Sequence, residues 1–306
     1  MPEYKLIVNP IAGRGSGEKS VPYLQQALGD LHPDLVMTER PGHARELAAE
    51  AALAGFQNVV AVGGDGTANE VLNGLMLANE KSDQKARFGV ISVGRGNDLA
   101  FGIGVPKGVQ EGCSILHQGH TKRIDVGFVV GGLYPEGRYF GNGVGIGFDA
   151  VVGFVALKLA PLSGLPSYLV AALETIFLYY KAPQVSIELD DRTIEMSSLM
   201  VSIMNGKRMG GGFMMAPAGL VDDGWFDVCI VRQVSRPAIF ALIPRFMQGT
   251  QESHPAVQTI RSRKVKVTAR KGTLPAHSDG ETLCTQGESL SISLFPSAIE
   301  VITRAQ

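Results

Sequence analysis

The chain has 306 residues, 45% of them hydrophobic and 19% charged, which is more than one compact core usually holds, so we expect two domains. Its 28 basic and 29 acidic residues give a formal net charge of -1 without a long block of one sign, which argues against nucleic-acid binding. Cys113, Cys229 and Cys284 are odd in number and far apart, so they indicate neither a disulfide framework nor a zinc site, and a reducing cytoplasm fits.

The N-terminus and the most apolar segment argue against secretion and against a membrane-spanning helix. Residues 1–5 lead straight into a strand-like run, with no charged, apolar and cleavable signal sequence. Residues 148–180 are the most apolar, but charged residues and prolines interrupt them, whereas a span needs about 20 nearly uninterrupted apolar residues. The hydrophobic share still fits a substrate at a membrane surface, with peripheral membrane contact, or a homo-oligomer interface.

The first part of the chain alternates strand and helix patterns. Strands are predicted at 4–9, 35–38, 59–62 and 88–93, and helices at 21–31, 43–54 and 68–77. Short β-branched runs separated by helices predict a three-layer α/β domain, in which a mostly parallel sheet has helices on both faces. Ligands of such sheets bind beyond the carboxyl ends of the strands.

From about residue 123 the pattern changes to strands and turns. Strands are predicted at 124–130, 137–142, 185–189, 198–204, 226–231, 264–269 and 289–294, and helices at about 150–159, 167–180 and 237–248. We therefore expect a second domain that is β-rich and sandwich-like. A last strand at 298–303 could return to the first domain, which sets the predicted domains at 1–125 with 297–306 and at 126–296.

The most informative motif is Gly63-Gly64-Asp65-Gly66-Thr67, between a predicted strand and a predicted helix. Glycines let the backbone approach a ligand, and the free N–H groups of the following helix favour an anion, so the motif predicts a phosphate site. Asp65 would repel phosphate unless a divalent cation lies between them or the acid takes part in chemistry. The alternative is a tight turn in which Asp65 or Thr67 caps the next helix.

Two further glycine loops follow predicted strands. The loop from Asn9 to Gly17 matches neither the Walker A pattern nor the dinucleotide pattern, and it is either a plain loop or backbone wrapped around phosphate or ribose. The loop at 94–98 adds the carboxylate of Asp98 at the same sheet edge as Asp65. Two acids facing one phosphate site suggest magnesium, which keeps several waters and takes one or two protein carboxylates. Alternatively, Asn97 or Asp98 caps a helix.

Two acidic turns lie in the β-rich part, at Asp222-Asp223-Gly224 and at Ser278-Asp279-Gly280-Glu281. By spacing, each is also a plausible hairpin turn. Neither loop alone predicts chemistry.

Taken in order, these motifs resemble the diacylglycerol kinase catalytic family, specifically the bacterial soluble lipid kinases, over essentially the whole chain. The matching motifs are Val8-Asn9-Pro10 with its glycine loop, Thr38 followed by Gly42-His43-Ala44, residues 63–70, Gly96-Asn97-Asp98-Leu99-Ala100, Ile124-Asp125-Val126-Gly127, residues 140–150, Asp222-Asp223-Gly224 and Asp279-Gly280-Glu281. His277 and Ser278 stand where the family usually has apolar residues. The second glycine-acid loop and the two acidic turns resemble the lipid branch rather than NAD kinases.

The resemblance implies a cytoplasmic, membrane-peripheral enzyme that uses ATP and Mg²⁺ to phosphorylate a lipid. It implies a nucleotide site lined by Asn9, Pro10, Ile11, Ala12, Gly13, Thr38, Gly63, Gly64, Asp65, Gly66, Thr67, Ala68, Asn69 and Glu70, with Arg95 standing where the family usually has Thr or Ser. By similarity, Asp65 and Asp98 hold the catalytic magnesium network, and Glu281 is the general base with Asp279 beside it. A structural magnesium would take the carboxylate of Asp223 and the backbone carbonyls of Leu220 and Trp225.

Two other functions remain open. A kinase of a soluble acceptor, as in NAD kinases, would share the nucleotide loops. A nucleotide-binding regulator without catalysis is favoured by Arg95, whereas the intact acids argue against it.

Overall fold

The computed structural model describes residues 3–81, 85–94, 96–158, 165–178 and 182–305. Two compact units make up the chain. Unit 1 comprises Met1–Asp125 and Ser297–Gln306, and unit 2 comprises Val126–Pro296.

Unit 1 alternates strands and helices along the chain, as the sequence predicts. Its elements are β1 (Tyr4–Val8), α1 (Ala12–Ala27), β2 (Asp34–Met37), α2 (His43–Leu53), β3 (Asn58–Gly63), α3 (Asp65–Asn79), β4 (Arg87–Ser92), α4 (Asp98–Gly102) and α5 (Val109–Gln118). The four strands are parallel, in the order β4, β3, β1, β2. The sequence patterns do not predict α5, and they offer α4 only as a helix that Asn97 or Asp98 would cap. The first helix is predicted too late, because α1 ends at Ala27.

The parallel sheet of unit 1 explains its continuous apolar runs. All six residues of β3 are buried, as expected of a strand that is covered by helices on both faces. Helix α2 packs against α3, and α1 packs against α5. The helices α2 and α3 come very close at Gly74, where an added Cβ would lie 2.2 Å from the carbonyl oxygen of Arg45.

Unit 2 is a set of antiparallel strands with three helices among its described residues. Its elements are β5 (Thr121–Gly131), β6 (Tyr134–Phe140), β7 (Gly143–Gly147), α6 (Phe148–Lys158), α7 (Leu165–Leu178), β8 (Gln184–Glu188), β9 (Thr193–Met204), β10 (Phe226–Arg232), α8 (Arg236–Gln248), β11 (Val257–Ser262), β12 (Lys264–Lys271), β13 (Leu274–Ser278), β14 (Glu281–Gly287) and β15 (Ser289–Ile302). Strands β5 and β15 each cross a boundary between the units. The predicted strands at 289–294 and 298–303 are one strand, β15.

The long strand β9 belongs to two sheets of unit 2. Its first half pairs with β8, which continues to β12 and β15, and its second half pairs with β7 and β10. Along strand β10, successive side chains point to opposite faces of the sheet. Phe226, Val228 and Ile230 pack in the core between the sheets, whereas Cys229 and Val231 pack in a second core with the helices α6, α7 and α8.

No helix in the described part of the chain is both long enough and apolar enough to cross a membrane. Residues 159–164 and 179–180 of the apolar segment 148–180 lie outside the described residues.

Candidate functional site

The predicted nucleotide residues of unit 1 follow the carboxyl ends of neighbouring parallel strands. Asn9 follows β1, Thr38 follows β2, Gly64 follows β3 and Gly94 lies two residues after β4. Because the strands are parallel and adjacent, these positions share one edge of the sheet, where open α/β sheets bind ligands.

The glycine loops at this edge touch one another through their backbones. A Cβ on Gly13 would lie 2.2 Å from the carbonyl oxygen of Val93, and a Cβ on Gly94 would lie 2.5 Å from the Cα of Gly64. No side chain fits at such distances, so glycine is required at both positions. The result is a surface built mainly of main-chain groups.

The first loop turns through three consecutive residues with left-handed backbone. Gly13, Arg14 and Gly15 have φ angles of 59°, 62° and 85°, inside the bounds of α1. Just before them, the side chain of Asn9 donates to Oγ1 of Thr67 at 3.0 Å and accepts from the N–H of Ile11 at 3.2 Å. Asn9 therefore ties the first loop to the loop after β3.

The carboxylate of Asp65 binds the N-terminus of α4. Its Oδ1 accepts from the N–H groups of Asp98 at 2.6 Å and Leu99 at 3.3 Å, and its Oδ2 accepts from the N–H of Asn97 at 2.7 Å. The sequence analysis weighed Asp65 as a cap of the next helix, α3, but α3 has no side-chain cap. The acid caps a helix from another loop instead, where its negative charge favours the helix dipole.

Asp65 and Asp98 both lie close to Gly96. The alternation of strands and helices predicts that the two acids share one edge of the sheet. A Cβ on Gly96 would be 2.7 Å from Oδ2 of Asp65 and 3.7 Å from Oδ2 of Asp98, so both carboxylates face the same small space. Each carboxylate offers about four lone-pair sites. This donor set fits a magnesium ion that keeps waters and is shared with phosphate oxygens.

Several predicted nucleotide residues have structural contacts. Glu70 accepts from the N–H groups of Gly42 at 2.8 Å and Ala44 at 3.1 Å, and so it caps α2. Ala68 and Asn69 are buried in α3. Gly64, Asp65 and Gly66 are half-buried, whereas Ile11 is 80% exposed.

The nucleotide roles of this residue set remain predictions. Arg95 lies outside the described residues.

In unit 2, Asp279 fixes the hairpin that carries Glu281. Asp279 and Gly280 have φ angles of 46° and 86°, and they join β13 to β14. The buried Asp279 carboxylate accepts from the N–H groups of Gly141 at 2.8 Å, Asn142 at 3.1 Å and Gly143 at 2.9 Å. The turn is thus anchored to the segment before β7.

Glu281 is the first residue of β14 and is half-buried. Its side chain makes no hydrogen bond or ion pair with any residue that the structure describes. A half-buried carboxylate on an anchored turn is suited to accept a proton from a ligand.

Two models of protein families match the chain. The diacylglycerol kinase catalytic domain matches residues 3–129, and the YegS C-terminal NAD kinase beta sandwich-like domain matches residues 142–303. The second model covers more than half of the chain, so the chain belongs to the YegS-like family, and its first part carries a diacylglycerol kinase catalytic domain. Relatives named diacylglycerol kinase and probable lipid kinase match over most of its length, and the protein is a phosphotransferase of the lipid kinase class.

Relatives of this kinase match over most of its length. A diacylglycerol kinase of Bacillus subtilis (strain 168) is 27% identical, covering 92% of this chain and 90% of its own. The "Probable lipid kinase YegS-like" of Chromohalobacter salexigens is also 27% identical, covering 91% and 88%. A crystal structure of a diacylglycerol kinase from Bacillus anthracis strain Sterne superposes with a TM-score of 0.73 at 22% identity, covering 99% of this chain and 97% of that one. This likeness shows the fold.

At the predicted structural magnesium site of the kinase, the side chain of Arg261 competes with a metal ion for Asp223. Oδ2 of Asp223 pairs with the guanidinium of Arg261, and Oδ1 accepts from the N–H of Trp225 at 3.1 Å. Leu220 is half exposed. Asp223 with the carbonyls of Leu220 and Trp225 therefore fits a magnesium ion only if Arg261 moves away, and that role stays a prediction.

The sequence analysis did not assign a function to Asp149 or His277, which meet in unit 2. Gly145 pairs with His277 on one neighbouring strand and with Ser202 on the other. A Cβ on Gly145 would lie 2.4 Å from Oδ2 of Asp149 and 2.6 Å from Nε2 of His277. The only sequence signal was His277 itself, a polar residue where the family usually has an apolar one.

Burial changes the ionisation of both groups. It raises the pKa of Asp149 to about 7, although hydrogen bonds from Ser202 at 2.7 Å and from the N–H of Ala150 at 2.9 Å oppose the shift. Burial lowers the pKa of His277 to about 4. The imidazole is therefore neutral at neutral pH, and the carboxyl group of Asp149 keeps its proton to a higher pH than an exposed aspartate does.

Proposed function

We propose that this lipid kinase transfers the terminal phosphoryl group of ATP to a hydroxyl group of a lipid such as diacylglycerol, in a magnesium-dependent reaction. The observation that carries the proposal is the family match in both parts of the chain, together with relatives that are named diacylglycerol kinase. The glycine loops of unit 1 supply a second line of support.

Unit 1 offers main-chain donors for a triphosphate. Gly64, the N-cap of α3, supplies no side-chain cap, and a helix N-terminus favours a phosphate group. The N-terminus of α4 is different, because Asp65 already accepts from it. We therefore assign phosphate binding to the start of α3 and to the glycine loop that begins at Asn9.

Asp65 and Asp98 would hold magnesium through water, next to the phosphates. When bound, the ion offsets the charge that the triphosphate carries during transfer. The backbone hydrogen bonds of Asp65 keep its carboxylate in one orientation.

Glu281 acts as the general base in this proposal. A lipid alcohol has a pKa far above neutral, so Glu281 has to accept the proton only as the oxygen bonds to phosphorus, within hydrogen-bond reach of the hydroxyl. Asp279 is a positioning residue, because its three backbone contacts hold the turn that carries Glu281.

Helix α8 supports a contact between this kinase and a membrane surface. Its exposed positions follow a helical spacing and are apolar at Pro237, Phe240, Ala241, Pro244 and Met247. Arg236 stands at the N-terminal end of the helix and could pair with anionic headgroups. Phe240 and Met247, seven residues apart and therefore on one face of the helix, are 41% and 37% exposed.

Labelling with ATP tests the function directly. The purified protein is incubated with magnesium, ATP labelled in the terminal phosphate and a total lipid extract, and the products are separated by thin-layer chromatography. A parallel set replaces the lipids with NAD and sugars. Label in a lipid product supports the proposal, whereas label only in a soluble acceptor, or in none, refutes it.

Liposome flotation tests the membrane contact. Phe240→Asp should reduce the floating fraction on anionic liposomes. Leu133→Asp, which changes a 68% exposed residue outside α8, is the matched control and should float like the wild type. Equal flotation of all three proteins would exclude α8 as the contact.

A further inference from the structure

The acidic loop before β10 carries the residues that the family resemblance assigns to a structural magnesium ion. The loop comprises residues 220–225, and β10 begins directly after it at Phe226. A magnesium ion in this loop would take the carboxylate of Asp223 together with backbone carbonyl oxygens. In the structure, a cation of the chain itself, the guanidinium of Arg261, pairs with the same carboxylate.

Strand pairing places Arg261 beside this loop. Arg261 lies in β11, directly opposite Asp227 of β10 in the register of the two strands. Its Nε atom lies 4.0 Å from Oδ1 of Asp227, and its Nη2 atom pairs with Oδ2 of Asp223. One guanidinium therefore faces two carboxylates of the loop and the strand that follows it. Opposite charges at paired positions of neighbouring strands stabilise a sheet.

An incidental surface ion pair is the alternative. Exposed pairs often contribute nothing measurable to stability, and the pair of Arg192 with Asp191 is of that kind, since both side chains are more than half exposed. The side chains of Asp223 and Asp227 are only 24% and 15% exposed. Two carboxylates that are mostly withdrawn from water need a cation close to them, and Arg261 supplies it.

A second arginine binds a carbonyl group of the same loop. Nε of Arg263, in the turn after β11, donates to the carbonyl oxygen of Gly224 at 3.0 Å. The guanidinium carbons of Arg263 and Arg261 lie 4.4 Å and 5.7 Å from the centre of the Trp225 ring. Both distances are within the range of cation–π contacts. Two guanidinium groups therefore hold the carboxylate, a carbonyl and the ring of this loop.

A magnesium ion would have to displace the guanidinium of Arg261 from Asp223. Magnesium needs near-octahedral oxygen ligands and gives up its waters reluctantly, whereas a guanidinium is weakly hydrated and its planar fork suits a carboxylate. Arg261 is also part of the folded sheet, so it is present at Asp223 whatever the solution contains. Among the described residues, no group of three or more His, Cys, Asp or Glu side chains is arranged to hold a metal ion.

We propose that Arg261 is the permanent cation of this loop and takes the place of the structural magnesium that the family resemblance implies. The loop therefore folds without a metal ion, and the stability of unit 2 does not depend on magnesium. The disagreement with the family pattern concerns only the acidic loop of unit 2. The magnesium that we assign to Asp65 and Asp98 is a separate matter, and so is the transfer reaction.

Tryptophan fluorescence tests the proposal at the loop itself, because Trp225 is the only tryptophan of the chain. The full-length protein, without nucleotide, is titrated with magnesium chloride from an EDTA-treated state. The wild-type emission should stay unchanged. The emission of Arg261→Ala should change and saturate as magnesium binds Asp223, and adding Asp223→Asn to that variant should abolish the change.

Two fluorescence results would overturn the proposal. One is a saturable change in the wild type that Asp223→Asn abolishes, because the loop would then bind magnesium in spite of Arg261. The other is an emission of Arg261→Ala that magnesium leaves unchanged, because Arg261 would then replace no metal ion. If Arg261→Ala does not fold, the milder Arg261→Gln takes its place in every measurement.

Thermal unfolding measures what the arginine contributes. In EDTA, Arg261→Ala should melt about 2 to 4 °C below the wild type, the shift expected when a domain of this size loses one favourable ion pair. Arg270→Ala is the matched control and should melt like the wild type, because Arg270 and its partner Glu195 are both more than half exposed. Arg261→Ala that melts with the wild type in EDTA would overturn the proposal. Because none of these measurements uses ATP or lipid, their outcome is separate from that of the kinase function.

Discussion

The carboxylate of Asp65 accepts a hydrogen bond of 2.6 Å from the backbone N–H of Asp98, and this contact joins the loop after β3 to the first turn of α4. The same two residues are the acids that we assign to magnesium. One carboxylate therefore has a structural contact and a proposed chemical role, and the two can be separated by measuring stability and activity together.

We expect Asp65→Ala to lose nearly all phosphoryl transfer and to lower the free energy of unfolding by about 1 to 3 kcal/mol, because three N–H groups lose a charged acceptor. Denaturant unfolding and the labelled-ATP assay give the two values. Asp34→Ala is the control in the same unit, since its ion pair with Lys5 is partly exposed and should contribute less than about 1 kcal/mol. Unchanged activity in Asp65→Ala would exclude the magnesium role.

The edge of the sheet where Asp65 lies was predictable from the sequence. Alternating strands and helices imply parallel pairing, and parallel pairing brings the ends of β1, β3 and β4 together. The target of the Asp65 carboxylate was not predictable, because α4 has five residues and follows an N-cap, Asn97, with a φ of 54°. A helix that short leaves almost no periodicity to detect.

We expect Asp279→Ala to lower the free energy of unfolding by about 3 kcal/mol or more, because three buried N–H groups lose their acceptor. Asp279→Asn should cost less, since Asn keeps one acceptor oxygen and tolerates the positive φ. The exposed Asp191→Ala should leave stability unchanged. If Asp279→Ala is as stable as the wild type, the anchoring of the turn is wrong.

Magnesium and Arg261 should compete for Asp223. Arg261 also lies 4.0 Å from Asp227, so its removal leaves two carboxylates without their cation. We expect Arg261→Ala to bind magnesium more tightly than the wild type, seen as a larger rise in melting temperature with added magnesium. Arg263→Ala, which removes a guanidinium over the Trp225 ring, should behave like the wild type. Equal magnesium responses in all three proteins would contradict a metal site at this loop.

Asp149 should make the kinase less stable as the pH rises. Its folded pKa of about 7 exceeds the ordinary value of 3.8, so its contribution is present below about pH 4 and is lost as the pH rises through 7. The free energy of unfolding of Asp149→Asn, relative to the wild type, should therefore increase between pH 4 and 7, by at most about 1.4 kcal/mol per pH unit. Denaturant titrations across this range measure the difference.

His277 should give the opposite dependence of stability on pH. Its folded pKa of about 4 lies below the ordinary value of 6.5, so its contribution is present above pH 6.5 and is lost as the pH falls through 4. His277→Gln should lose stability relative to the wild type as the pH rises through this window. Parallel pH profiles for both variants and the wild type would show that neither group is buried as described.

The meeting of Asp149 and His277 could not be predicted, because it depends on strands that the sequence analysis missed. Strand β7 contains three glycines and β13 contains Pro275, and both residue types weaken a strand pattern. Their register, which sets Gly145 opposite His277, exists only once these strands pair. The long helices α6, α7 and α8 were predicted to within two residues because their apolar patterns are longer.

The most direct test of the account is the rate at which Glu281→Gln transfers labelled phosphate from ATP to dioleoylglycerol in vesicles. We expect the wild type to form a labelled lipid and the variant to be slower by about 10² to 10⁴, the range for loss of a general base, with ATP affinity and stability unchanged. Glu288→Gln, at an exposed position, is the control. A Glu281→Gln variant that phosphorylates the lipid at the wild-type rate would contradict the account.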